Sequence, residues 1–279
     1  MKRLVLSAIF MCVAYFAYGS ESTETPSKEQ APDVEQIVKK ANIMAYYQGL
    51  DGKSRVSMAI TDKQGRMRSR EFIILRKNIE TGGDQNYFVY FIEPADVRKM
   101  IFMVHKHTAK DKDDDRWLYL PNLDLVKRIA ASDKRTSFVG SDFLYEDVSG
   151  RSIDEDTHEL VETTDKYFVL KNVPKEPTSV EFEYFTVYID KNNYMPMKME
   201  FFEKGGTLYR VIESKKVEQI KSKEGDKEVA YPTVVESEVK DLKTGNSTYM
   251  TFSDVQYNIG LSDIFTERYL RRPPREAMR

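Results

Sequence analysis

The sequence predicts a mainly β (α+β) fold: a single large, curved antiparallel sheet with one helix before it and one after. Three observations carry this. About a dozen short runs rich in apolar and aromatic residues, many alternating with polar ones, follow one another between residues 53 and 257, the pattern of half-buried strands. Tight turn signals such as Asn192-Asn193, Gly205-Gly206 and KTGN at 243–246 separate them, and short connections force neighbouring strands to run antiparallel. No break along the chain has the composition of a domain linker, and a chain of 279 residues is within the size of one all-β domain.

Taken in order, Asp33 caps the first helix. Val34, Ile37, Val38, Ala41, Met44 and Ala45 recur behind it at helical spacing, and Gly49 lies just past the end. This helix has one apolar stripe and needs a partner surface. From residue 53 the period changes. Val56, Met58 and Ile60 alternate with polar or small residues, DKQGR at 62–66 turns the chain, and 67–76 returns as the second strand of a hairpin. Strands are expected at 86–94, 98–107, 116–121 and 123–129, then at 166–173, 180–190, 194–204, 207–220, 234–242 and 247–257. A short helix over about 262–270 closes the chain before Pro273-Pro274.

The first residues read as a secretory signal. Met1-Lys2-Arg3 is basic, Leu4 to Tyr18 is apolar, and Ala17-Tyr18-Gly19 offers small residues to a peptidase. The apolar run is shorter than the roughly 20 residues of a spanning helix. Residues 1–19 are therefore expected to be a signal peptide, 20–32 (SESTETPSKEQAP) a flexible leader, and 33–279 a single domain. Cys12, the only cysteine, follows Phe10-Met11 rather than the small residue a lipoprotein signal requires. Its removal leaves no thiol for a disulfide, a metal or a nucleophile. Losing Lys2 and Arg3 leaves 41 bases against 45 acids, a net charge of −4, which argues against nucleic acid as a partner.

A wide twisted sheet tends to curl, and its concave face must be filled or covered. Met195, Met197, Met199 and Phe201 recur at every second position, so they share one strand face; Met58, Met67, Met100 and Met103 add to the stock, beside 32 Phe and Tyr. Methionine is flexible and polarisable, suited to variable apolar shapes. These side chains either fill the core beneath the helices or line an apolar cavity.

No residue is singled out as catalytic. His105 and His107 are two residues apart, and a metal would need more ligands. KDKDDD at 110–115, read as a calcium loop, has Arg116 where a glycine is required and Asn122 where the closing glutamate belongs. His158 reads as a surface residue. Gly140-Ser141-Asp142 is no nucleophile elbow, and no phosphate or dinucleotide fingerprint occurs. A carboxylate pair for sugar hydrolysis is not singled out among 45 acids. No enzyme, metal or cofactor is expected.

Two stretches remain, DRWLYLPNLDLVKRI at 115–129 and SFVGSDFLYEDVSGR at 137–151. Trp117, Tyr119 and Pro121, then Lys127 and Arg128, then Phe138, Gly140, Ser141, Asp142, Phe143, Tyr145 and Asp147 resemble the W-x-Y-x-P and F-x-G-S-D segments of the LolA-like outer-membrane lipoprotein-sorting family. The resemblance runs from the first helix to FTERYLRRP near the C-terminus. It implies a half-open β-barrel with the N-terminal helix and short helices as a lid over an apolar cavity, in the periplasm, holding acyl chains of lipoproteins or other lipids. Cavity candidates are Met58, Met195, Met197, Met199 and Phe201. The segment 137–151 would cross the barrel mouth, with Trp117, Tyr119, Pro121, Phe138, Gly140, Asp142, Phe143 and Tyr145 as mouth residues. The implied partners are lipids, an inner-membrane lipid exporter and transient contact with a membrane surface. The alternatives are an envelope adaptor that docks on an exporter or on outer-membrane machinery, and a hydrolase of envelope glycans or lipids. The C-terminal arginines Arg268, Arg271, Arg272, Arg275 and Arg279 read as a solvated tail, or as a contact for headgroups or an acidic partner.

Overall fold

The computed structural model describes residues 33–109 and 112–278; the signal peptide and leader expected at 1–32 lie outside the described residues. Asp33 accepts a hydrogen bond from the Glu35 backbone N–H at 3.0 Å and so caps α1 (Val34–Tyr46), which buries Ile37, Val38 and Ala41. The strands are β1 (Asp51–Thr61), β2 (Met67–Asn78), β3 (Gln85–Glu93), β4 (Ile101–Lys106), β5 (Asp115–Leu120) and β6 (Leu125–Ile129). They continue as β7 (Asp156–Thr163), β8 (Tyr167–Pro174), β9 (Tyr184–Asp190), β10 (Pro196–Glu203), β11 (Thr207–Glu224), β12 (Lys227–Asp241) and β13 (Asn246–Tyr257). All pair antiparallel in one 13-stranded sheet, in the order β6-β5-β4-β3-β2-β1-β13-β12-β11-β10-β9-β8-β7.

This order makes two meanders joined at a seam where β1 meets β13, with Gly52 opposite Tyr257, Met58 opposite Met250 and Thr61 opposite Ser247. The sheet is curved but does not close, since β6 and β7 are its two edges. The chain travels from one edge to the other through residues 130–155, which contain α2 (Tyr145–Ser149). On the inner face this segment packs Phe138, Phe143 and Tyr145 against Val56, Met58, Phe72, Phe91 and Phe102. On the outer face, Ile73, Leu75, Phe88, Ile101, Met103 and Trp117 are covered by Leu261, Ile264, Phe265 and Leu270.

Besides the short α2, three elements differ from the sequence expectation. The strand β7 was not expected, because DTHELVET carries charge along an edge. β12 begins at Lys227 and runs through Pro232. There it pairs with β11 alone, the β13 ladder starting only at Glu236, so proline sits where one flank is unpaired. The closing helix shrinks to α3 (Arg268–Arg271). The Asp51 carboxylate takes the backbone N–H groups of Ile259 and Leu261, both at 2.7 Å, and holds the chain just ahead of the expected helix in an irregular path over the sheet.

Candidate functional site

The helix α1 lies over the inner face of the C-terminal meander, its Ile37, Val38 and Ala41 packed against Leu170 of β8 and Ile189 of β9. The crossing segment fills the inner face of the other meander. Between the two remains a cavity of about 430 Å³, within the roughly 300–1,000 Å³ of small-molecule sites. Its apolar wall comes from Met195, Met197, Met199 and Phe201, with Val38 and Met44 of α1 above them. Antiparallel register explains the alignment: Met199 stands between Val187 of β9 and Ile212 of β11, both also on the cavity.

The floor next to the crossing segment is ionic and closed on itself. Glu146 of α2, only 2% exposed, meets Lys134 at 3.1 Å, Arg151 at 3.3 Å and also Arg135. Burial opposes its charge, but Arg135, Lys134 and Arg151 outweigh that and hold its carboxyl below the usual range. Arg135 clamps Glu181 through two contacts of 2.6 Å. Arg151 clamps Asp156, at the start of β7, at 2.8 and 3.0 Å. Bidentate pairs of this kind fix direction as well as position. Arg210 of β11 holds the other end, binding Asp147 and the Asp142 carbonyl, the latter at 3.1 Å. Asp142 in turn accepts from the buried Thr248 hydroxyl at 2.7 Å, and burial raises its carboxyl above the ordinary range. The helix α2 ends at Gly150, where a Cβ would stand 2.8 Å from the Tyr46 ring and φ is +80°; only glycine lets α1 and α2 approach this closely.

Residues 83–272 match a family model whose description reads "-like: Uncharacterized protein". Among solved structures, an outer membrane lipoprotein-sorting protein domain from Vibrio parahaemolyticus is 28% identical with a TM-score of 0.74, over 86% of this chain and 98% of that one. The chain belongs to a LolA-like family. A DUF1329 family protein from Desulfovibrio piger is 26% identical with a TM-score of 0.74, over 85% of this chain and 96% of its own. A LolA superfamily protein from Nitrosomonas europaea shares the fold at 20% identity, with a TM-score of 0.63 over 86% of this chain and all of that one. No curated protein matches.

In this LolA-like chain the motif residues separate onto two faces. Phe138, Phe143 and Tyr145 lie inside; Phe138 rings meet Phe72, Phe91, Phe102 and Tyr145 at 5.5–5.9 Å. Only Phe143 of the three also lines the cavity. Gly140, with φ +79°, and Asp142 shape the turn between them. Trp117 and Tyr119 are not mouth residues. They pair with Met103 and Ile101 on the outer face, whereas Leu118 between them points inward. Pro121 opens a 3-10 turn at the hairpin tip. Met58 also departs from expectation: it is fully buried in the core with Phe72 and Phe138 and is absent from the cavity wall. The cavity ends nearer the start of β1, at Ser54.

The ion network and His158 were not foreseen as parts of the site. His158 lines the cavity, with Nδ1 2.7 Å from the Asn172 side-chain oxygen and Nε2 2.8 Å from the Ile153 carbonyl. Its position two residues past Asp156 on an edge strand gave no periodic signal. Among the described residues no cluster of His, Cys, Asp or Glu has the makings of a metal site. His105 faces outward to the Phe265 carbonyl at 2.7 Å, and His107 lies between Asp84 and Asp115 at 2.9 and 3.3 Å.

Proposed function

We propose that the protein is a periplasmic carrier that holds the acyl chains of lipoproteins or other lipids between α1 and the inner face of the sheet, for transfer toward the outer membrane. An inner-membrane lipid exporter is the proposed donor. The observation that carries this reading is the apolar cavity of about 430 Å³ walled by Met195, Met197, Met199 and Phe201. Its family membership and its likeness to a lipoprotein-sorting domain support it.

Physical chemistry makes the task real. Exposing a 16-carbon acyl chain to water costs on the order of 12 kcal/mol, at about 0.8 kcal/mol per CH₂. A carrier must offset most of this cost and still release its load. Thioether side chains adapt to chains of different length without the directional bonds that would make release slow. The body of α1 rests on the sheet through Ile37, Val38 and Ala41, whereas its end is fixed by Tyr46, whose ring abuts Gly150 and whose carbonyl accepts from the Gln85 side chain at 2.8 Å. Opening at the N-terminal end of the helix, with the other end as the hinge, would admit a chain.

The test is organic extraction of the protein purified without detergent, followed by mass spectrometry, with titration of a fluorescent fatty acid beside it. A stoichiometric lipid or acylated peptide is expected. Met197→Lys and Met199→Lys should each weaken probe binding by about tenfold or more. An empty protein that takes up no acyl probe would move the function to docking on envelope machinery.

A further inference from the structure

The carrier reading leaves one surface unused, the tip of the β5–β6 hairpin and the short helix beside it. Pro121–Leu123 form the 3-10 turn, and Asp124 follows in the left-handed region at φ 44°. That conformation is unusual for a residue with a side chain, and here it is pinned from two sides. The Asp124 carboxylate accepts from the Tyr119 hydroxyl at 3.2 Å and from Arg271 Nε at 3.1 Å, while Arg271 Nη2 donates to the Asp124 carbonyl at 3.2 Å. Behind the tip, Trp117, Tyr119, Val126 and Tyr269 root the hairpin in the outer-face core. The turn therefore keeps one shape.

What it presents to water is aliphatic. Leu123 is 70% exposed and Leu125 45%. Exposed cations flank the tip on both faces of the sheet, Lys127 beside Leu125 on the inner face and Arg268, Arg271 and Arg272 on and after α3 on the outer one, where Arg271 reaches Asp124. Among the described residues Lys127, Arg268 and Arg272 form no ion pair, and the acid within the turn, Asp124, is occupied by Arg271. Glu267, ahead of α3, is the remaining exposed acid of this patch.

We propose that this tip docks the protein on a lipid bilayer bearing anionic headgroups, the two leucines entering the interfacial region and the cations meeting lipid phosphates. The shape decides for a membrane over a protein partner. Protein interfaces bury flat patches anchored by aromatic side chains, and the aromatics here, Trp117, Tyr119 and Tyr269, are packed into the outer-face core. An aliphatic hairpin tip flanked by guanidinium and ammonium groups matches a surface that is soft, apolar a few ångströms down and negatively charged on top. Guanidinium is suited to the last part because it binds phosphate through paired N–H groups. This surface is independent of the cavity, so it stands or falls separately from the carrier reading.

The experiment is flotation of the purified protein with protein-free vesicles, of phosphatidylcholine alone or of phosphatidylcholine with phosphatidylglycerol. Binding to the anionic vesicles, none to the neutral ones, and weakening as salt is raised are expected. The double variant Leu123→Ser/Leu125→Ser should lose about tenfold or more in vesicle affinity. Arg268→Glu/Arg272→Glu should lose a similar factor, and both should keep wild-type melting temperature and fatty-acid uptake. Failure of the wild type to bind anionic vesicles, or wild-type affinity in both variants, would overturn the proposal. So would binding to native membranes but not to protein-free vesicles, since that requires a protein receptor.

Discussion

Lys106 sits on the inner face with 4% exposure, and its ammonium is held by two carbonyl oxygens, Ser149 at 2.8 Å and Gly150 at 2.7 Å. These are oxygens at the end of α2 with no helical N–H to accept from, so one side chain ends the helix and ties it to the sheet. Burial pushes its pKa from 10.5 down to about 8; Asp114 and Glu146 pull it up, and Arg116 pushes it down. The sign follows from linkage. Below pH 8 both folded and unfolded chains carry the proton, and the burial penalty is present in full. Between pH 8 and 10.5 the folded chain sheds a proton that the unfolded chain keeps, so stability rises with pH. Tyr47, raised by burial to about 12, turns the slope down once unfolded tyrosine ionises near pH 10. Urea unfolding should therefore show stability climbing by roughly 2 kcal/mol from pH 8 to 10, and Lys106→Met should flatten that climb. An unchanged slope in the variant would place the titrating group elsewhere.

Among the elements, the crossing segment does the most. It has little regular structure, with α2 of five residues, yet it fills half of the inner face and supplies the floor of the cavity. Phe138 is its keystone, fully buried among four aromatic rings. Phe138→Ala should cost about 3–5 kcal/mol in unfolding free energy, while fatty-acid affinity of the folded fraction stays near wild type, because Phe138 does not line the cavity. A variant that lost affinity and kept stability would reverse the assigned roles. The segment also marks how far the sequence could be read. Alternation exposed most strands and put Met195, Met197, Met199 and Phe201 on one face, because a period of two fixes which residues share a face, though not whether that face is filled or open. The same rule, applied to Trp117 and Tyr119, separates them from Leu118; nearness in sequence to Phe138 concealed that they belong to opposite faces. The pairing of Arg135 with Glu181, 46 residues away, had no local signature at all. Charges with no periodicity disclose their partners only once the chain is folded.

At the scale of the molecule, two meanders share one ladder. They are further bound by the crossing segment, through Arg135 to Glu181, Arg210 to Asp147 and Thr248 to Asp142. Such cross-ties predict a single cooperative transition. Trp117, the only tryptophan, reports the outer face of the first meander, whereas far-UV circular dichroism averages over both. The two urea curves should superimpose. Separated midpoints would mean that each meander melts alone.

The seam between β1 and β13 carries a consequence in time. Gly52 waits for Tyr257 and Thr61 for Ser247, so the first strand made acquires its second neighbour only when the last one emerges. Until then an eleven-residue β1 offers a row of unpaired N–H and C=O groups, backed by Val56, Met58 and Ile60, to any strand that passes. Non-local pairing of this kind is slow. The newborn chain therefore spends its most aggregation-prone interval nearly complete, with every strand in hand but the one that seals it.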